Sequence, residues 1–187
     1  MNAIPLSRKN FQTIIQFYLF ESPVRTYTRK TKQVFGATTA QPHPEYDYYF
    51  KKVSKRGITF ADRGIDGSKL NSLRAAMKRV TGVELLAVNT NEEVIEKVNA
   101  FKKSAEFIVI KRGAENKYGV SVTEGYFYCI RNAFAHGDFE VEGKIYTLRN
   151  EDRGKVKGLA RLKESSLLTW IDLVNMDIES IKLAGKK

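Results

Sequence analysis

Apolar positions near the start of the chain return every three or four residues. Phe11, Ile14, Ile15, Tyr18 and Leu19 form one stripe and predict an amphipathic helix. Ser7 stands before it as an N-cap, and Pro23 follows its end. Tyr46, Tyr49, Phe50 and Val53 also recur at helical spacing, so Glu45–Val53 is expected as a short helix, although Tyr48 widens its apolar surface. Between the two, Thr26–Pro44 is basic and broken by Gly36, Pro42 and Pro44, which argues against long regular structure.

Gly57, Gly64 and Gly67 punctuate a loop region. A helix is predicted next through Leu70, Leu73, Met77 and Val80, capped by Ser68 or Asp66 and closed by Gly82. Asn91 opens another, with Val94, Val98 and Phe101 on one side. Phe107–Ile110 is a β-branched run that reads as a strand or a buried turn, and Lys111–Lys117 as a polar loop. Tyr126–Ala135 is an apolar helix. After Gly137 the period changes, and Phe139, Val141, Ile145, Tyr146 and Leu148 flank Glu142-Gly143-Lys144 as a β-hairpin. A charged link leads to a last helix carrying Leu167, Leu168, Ile171, Val174 and Ile178, with Gly185–Lys187 as a frayed tail. The pattern predicts a mainly α chain with one hairpin: a single domain over 1–187, with 57–118 as an insertion or variable region.

Composition narrows the partners. The net charge of +11 attracts polyanions, chiefly nucleic acid or anionic membrane, though a basic solvated surface is the bland alternative. The apolar run Ile14–Phe20 is too short to span a bilayer and lacks a cleavage signature, so no membrane partner is expected. The single cysteine, Cys129, allows neither an internal disulfide nor a cysteine metal cluster and fits a reducing, cytoplasmic setting. Neither zinc-ligand spacing nor a phosphate-cradling glycine motif appears, so no metal or cofactor is expected.

The segment Glu124–Gly137 carries the chemistry. On a helical wheel Tyr126, Phe127, Ile130, Ala133 and Phe134 share one arc, while Glu124, Tyr128, Arg131, Asn132, Ala135 and His136 share the other. Arg131 and His136 are five residues apart, roughly 140° around the helix. Asn132 and His136 lie four apart, so Asn132 is placed to orient the imidazole. Gly137 reads as the C-cap, which sets His136 beside unpaired carbonyls whose partial negative charge favours an imidazolium. An imidazole can move protons near neutral pH, and a guanidinium can grip phosphate. The alternative is an exposed Arg131 paired with Glu124 and a histidine that merely answers the helix dipole.

The string Ile130-Arg131-Asn132-Ala133-Phe134-Ala135-His136-Gly137 resembles the RNxxxH form of the R-x(4–6)-H motif of HEPN-superfamily ribonucleases. Its setting is similar too: an apolar helix, the motif near its end, then glycine, a hairpin, a basic link and a helix. The resemblance covers about Tyr126–Ile178 and points to small HEPN proteins of bacterial genomes, plasmids and phages. It implies a helical bundle that commonly dimerises, with two motif helices forming a composite cleft. It also implies a metal-independent endoribonuclease, used as a toxin or antiphage effector and restrained by an antitoxin or regulatory protein. Arg131 would bind phosphate and stabilise charge, and His136 would act as general acid or base. Asn132 would support them, with Glu124 and Tyr128 added from the wheel. Arg149, Arg153, Lys155, Lys157 and Arg161 in the basic link are candidates for sequence-blind RNA contacts. Two other readings remain: a catalytically silent module that binds RNA or protein, and a DNA-binding regulator, for which no convincing recognition helix is found.

Overall fold

The computed structural model describes residues 8–23, 25–31, 46–52, 60, 64, 65, 67–112 and 121–186. Ser7, Asp66 and the 113–117 part of the polar loop fall outside them.

The apolar stripe of the first segment becomes α1 (Arg8–Gln16), continued by one π-helical turn, Phe17–Glu21. Strands β1 (Arg25–Thr31) and β2 (Tyr46–Lys52) pair antiparallel with each other. Then come α2 (Gly67–Thr81), β3 (Glu84–Val88), α3 (Asn91–Asn99), β4 (Phe107–Lys111) and α4 (Val122–His136). They are followed by β5 (Phe139–Glu142), β6 (Ile145–Asp152), β7 (Lys155–Lys163), α5 (Glu164–Asn175) and α6 (Ile178–Gly185).

Five strands form a mixed sheet in the order β3-β4-β7-β6-β5. Only β3 and β4 run parallel, joined through α3 as a strand–helix–strand crossover. α4 and α5 pack on one face, with α1 and α2 stacked on them and α6 on α2, and α3 covers part of the other face. The larger core lies under α4 and α5 and includes Ile108, Ile110, Phe127, Ile130, Tyr146, Leu148, Leu162, Leu167 and Trp170. A smaller core of Val88, Val94, Phe107, Val109 and Val156 lies under α3. Each large side chain fully withdrawn from water contributes about 1.5–3 kcal/mol, so the α4–α5 face dominates the stability of the fold.

Two glycines set how closely α4 meets the sheet. A Cβ on Gly125 would come within 2.7 Å of Ile110 Cδ1, and one on Gly158 within 2.5 Å of Cys129 Sγ. α4 therefore crosses from β4 at its start, over β7, toward β6 at its end. That diagonal delivers its last two turns to the outer strands.

The architecture is mixed α/β, which corrects the expectation of a mainly α, HEPN-like helical bundle. The expected hairpin is present as β5–β6, but it belongs to a larger sheet. The charged link proves to be the end of β6, a tight turn and all of β7. Its period of two is muted because the inward positions Gly158 and Ala160 must be small where α4 presses in, while the alternate positions mix Leu159, which packs toward α3, with Lys157 and Arg161. Glu45–Val53 contains β2 rather than a short helix, and the seven-residue β1 overlaps the start of the stretch whose glycine and prolines argue against long regular structure. For aromatic segments this short, a ladder to a distant strand outweighs helical spacing. The expected last helix is two, because Asp177 accepts from Ser180 N and starts α6 afresh. Gly185 closes α6 against α2 instead of fraying. Within 57–118, read as an insertion or variable region, α2, β3, α3 and β4 supply one edge strand of the sheet and its neighbour.

Candidate functional site

α4 has well-defined ends. At its start Ser121 Oγ accepts from Glu124 N (3.1 Å) and Glu124 Oε2 accepts from Ser121 N (3.0 Å), a reciprocal capping box. At its finish Gly137 takes a left-handed conformation (φ 75°), and Asp138 N donates to Ala133 O at 2.9 Å. The apolar arc of the wheel is buried as expected. Glu124 departs from the polar arc, for it is only 1% exposed and holds the helix start. Tyr128 is half-buried and packs against the main core. Tyr128 stands one turn before Arg131 and Asn132, whereas Glu124 lies away from the far end of α4, where Arg131, Asn132 and His136 gather.

There, Arg131 is half-buried. Its Nη1 donates to Asn132 Oδ1 (3.3 Å), and Asn132 Nδ2 donates to Asn150 Oδ1 (3.4 Å). Asn150 is 8% exposed and sits on β6, at the register shift between Asn150 and Glu151. The amides thus tie the guanidinium to the sheet, while Arg131 Nε is shielded and unpaired among the described residues. Asn132 is engaged with Arg131 and Asn150, so its hydrogen bonds go there and not to the imidazole it was expected to orient. His136, by contrast, is exposed in the last turn of α4.

The end of β6 lies close to this imidazole. Lys157 Nζ is 2.5 Å from Asp152 Oδ2, and that hydrogen bond and its charge hold the Asp152 carboxyl below its usual range. Arg153 and His136 add weaker electrostatic pulls in the same direction, so one carboxylate and three basic side chains share a neighbourhood.

The predicted basic cradle divides. Arg149 and Arg161 occupy the sheet face opposite α4. Arg149 is paired with Glu151 (2.6 Å), and Arg161 donates to Ala105 O (3.2 Å). Lys155 lies at the far side of the turn, where its charge reaches Glu92 on α3. Beside it a shallow groove of about 220 Å³ is lined by Asn91, Glu92, Ile95, Gly154, Lys155 and Val156. Lys157 and Arg153 are the two that act on Asp152, the carboxylate that His136 also pulls on.

Two residues of this site were not singled out in the sequence. Asn150 had a signal: it continues the inward alternation of Tyr146 and Leu148, so a polar residue stood at a buried position. Asp152 had none, because its relation to His136 depends on how α4 crosses the sheet. Burial pushes the Cys129 thiol up to about 12, which removes it as a nucleophile near neutral pH. Among the described residues no group of three or more His, Cys, Asp or Glu converges as a metal site, and no helix is long and apolar enough to cross a membrane. No protein-family model, curated protein or solved structure matches this chain.

Proposed function

We propose that this protein is an endoribonuclease that cleaves RNA without a metal ion, with His136 moving protons and Arg131 stabilising the charge on phosphorus. The observation that carries this reading is the shared end of α4. An exposed imidazole closes the helix, and one turn earlier a guanidinium is anchored to β6 through Asn132 and Asn150. A net charge of +11 suits a polyanionic substrate.

The reaction needs few parts. The 2′-hydroxyl gives up its proton and attacks the adjacent phosphorus, and the P–O5′ bond breaks as the 5′-oxygen takes up a proton. The products are a 2′,3′-cyclic phosphate and a 5′-hydroxyl. General acid–base help from a histidine is worth about 10²–10⁴-fold. A fixed guanidinium adds charge stabilisation in the phosphorane-like transition state. Arg131 and His136 diverge by roughly 140° on one helix, so a two-fold dimer is the assembly in which Arg131 of one protomer serves His136 of the other. A cytoplasmic toxin or antiphage effector held in check by a protein partner is the setting this activity suits.

The test uses end-labelled RNA in excess chelator, with wild type beside His136→Ala and Arg131→Ala. Cleavage by wild type alone, leaving cyclic-phosphate ends, supports the proposal. RNA binding by all three without cleavage transfers the protein to the class of RNA-binding modules. Mixed dimers of the two variants report on composition, since a shared site regains cleavage and separate sites do not.

A further inference from the structure

The two tight turns of the β5–β6–β7 meander use the left-handed backbone differently. In the β5–β6 turn a glycine, Gly143, takes it (φ 61°). In the β6–β7 turn two residues connect Asp152 to Lys155, and both take it: Arg153 at φ 52° and Gly154 at φ 73°. Such a turn matches the twist of its strands and favours Asn-Gly, because asparagine tolerates the left-handed region. Arg153 is the one non-glycine with positive φ among the described residues. The fold has thus placed a long cation where its own backbone favours asparagine.

Local contacts do not account for that choice. Arg153 is exposed and makes no hydrogen bond or ion pair among the described residues. The nearby Asp152 carboxylate is already held by Lys157. What the position does offer is an exposed place at the tip of the β6–β7 ribbon, directly after the Asp152 that Lys157 holds. We infer that the β6–β7 tip is a phosphate-gripping element, in which Arg153 is kept against turn preference to bind a backbone phosphate of single-stranded RNA. This rests on the RNA reading above, but it adds a separate contact that takes no part in proton transfer.

Three proteins test it: wild type, Arg153→Asn and Arg153→Lys. Each is measured for its thermal midpoint and for its affinity to a fluorescein-labelled single-stranded RNA across a salt series. Relief of the turn in Arg153→Asn raises the midpoint by about 2–4 °C. Loss of one phosphate contact lowers the salt slope of its binding by about 0.7. Arg153→Lys keeps the charge and the strained backbone, so its midpoint and slope both stay near wild type. An unchanged slope in Arg153→Asn, with wild type still binding RNA, overturns the phosphate grip alone. A lowered slope without a higher midpoint overturns the claim that the arginine is held against turn preference. No RNA binding by wild type overturns the RNA reading itself, and this inference with it.

Discussion

The two ends of α4 carry polar residues that share one arc of the helical wheel, yet the fold uses them for opposite ends. Glu124 at the start is buried and closes a capping box with Ser121. His136 at the finish is exposed beside a left-handed glycine. The difference lies in what each end meets. The first turns press on β4 through Gly125, and Thr123 donates to Leu70 O on α2, so polar groups there must be satisfied internally. The last turns reach the outer strands, where solvent takes over. Polarity on a helix therefore marks a candidate for chemistry only where the sheet beneath has run out.

Substitution at both ends gives the largest contrast. His136→Ala is expected to lower RNA cleavage by about 10²–10⁴-fold, with its urea midpoint close to wild type because the side chain is exposed. Glu124→Ala is expected to do the reverse, losing about 1–2 kcal/mol of stability through the broken cap while cleavage per folded molecule persists. Parallel urea melts and single-turnover cleavage measure both. If Glu124→Ala loses cleavage as deeply as His136→Ala with its stability intact, the division between the two ends is wrong.

A smaller effect sharpens the account of how α4 is seated. Gly158→Ala puts a methyl 2.5 Å from Cys129 Sγ, and overpacking of this kind costs about 1–3 kcal/mol. Adding Cys129→Ala makes room for that methyl. The double variant is then less destabilised than the sum of the two single changes, by about 1 kcal/mol in chemical denaturation. Simple additivity breaks the claim that this pair sets the distance between helix and sheet.

The smallest effect concerns α5, which lacks a side-chain cap of its own. Instead Glu106 reaches its start, accepting from Lys163 N (2.8 Å) and Ser166 Oγ (2.6 Å) and pairing with Lys163 Nζ (2.7 Å). Burial raises the Glu106 carboxyl, but these hydrogen bonds and the lysine charge outweigh it and leave the group below its usual range. A lowered folded value means stability that is present above the unfolded carboxyl's pKa and is lost as pH falls through the folded one. Glu106→Gln is thus expected to cost about 0.5–1 kcal/mol at pH 7, with the gap to wild type closing below about pH 4. Melts across a pH series decide it, and a gap that widens in acid contradicts the assignment.

Much of the helical content was legible. Periodicity of 3.6 marks α1, α2, α3 and α4, and Gly82 and Gly137 mark two of the stops. The hairpin was legible because Phe139, Val141, Tyr146 and Leu148 bury one face around a glycine turn. β7 was not, since Gly158 and Ala160 give little hydrophobic signal where a helix sits close. β2 was not, because Tyr46, Tyr48, Tyr49 and Phe50 satisfy both periods over so short a run.

By itself the sequence determined the core-facing arc of α4, the position of its C-cap and the strong positive charge, because each follows from local spacing or composition. Tertiary structure alone decided that Asn150 anchors Arg131 through Asn132 and that Asp152 comes within electrostatic reach of His136. Those relations join positions 16 to 19 residues apart through a helix laid diagonally across a sheet. The angle of that crossing is set by two close-approach glycines, and no local pattern encodes it.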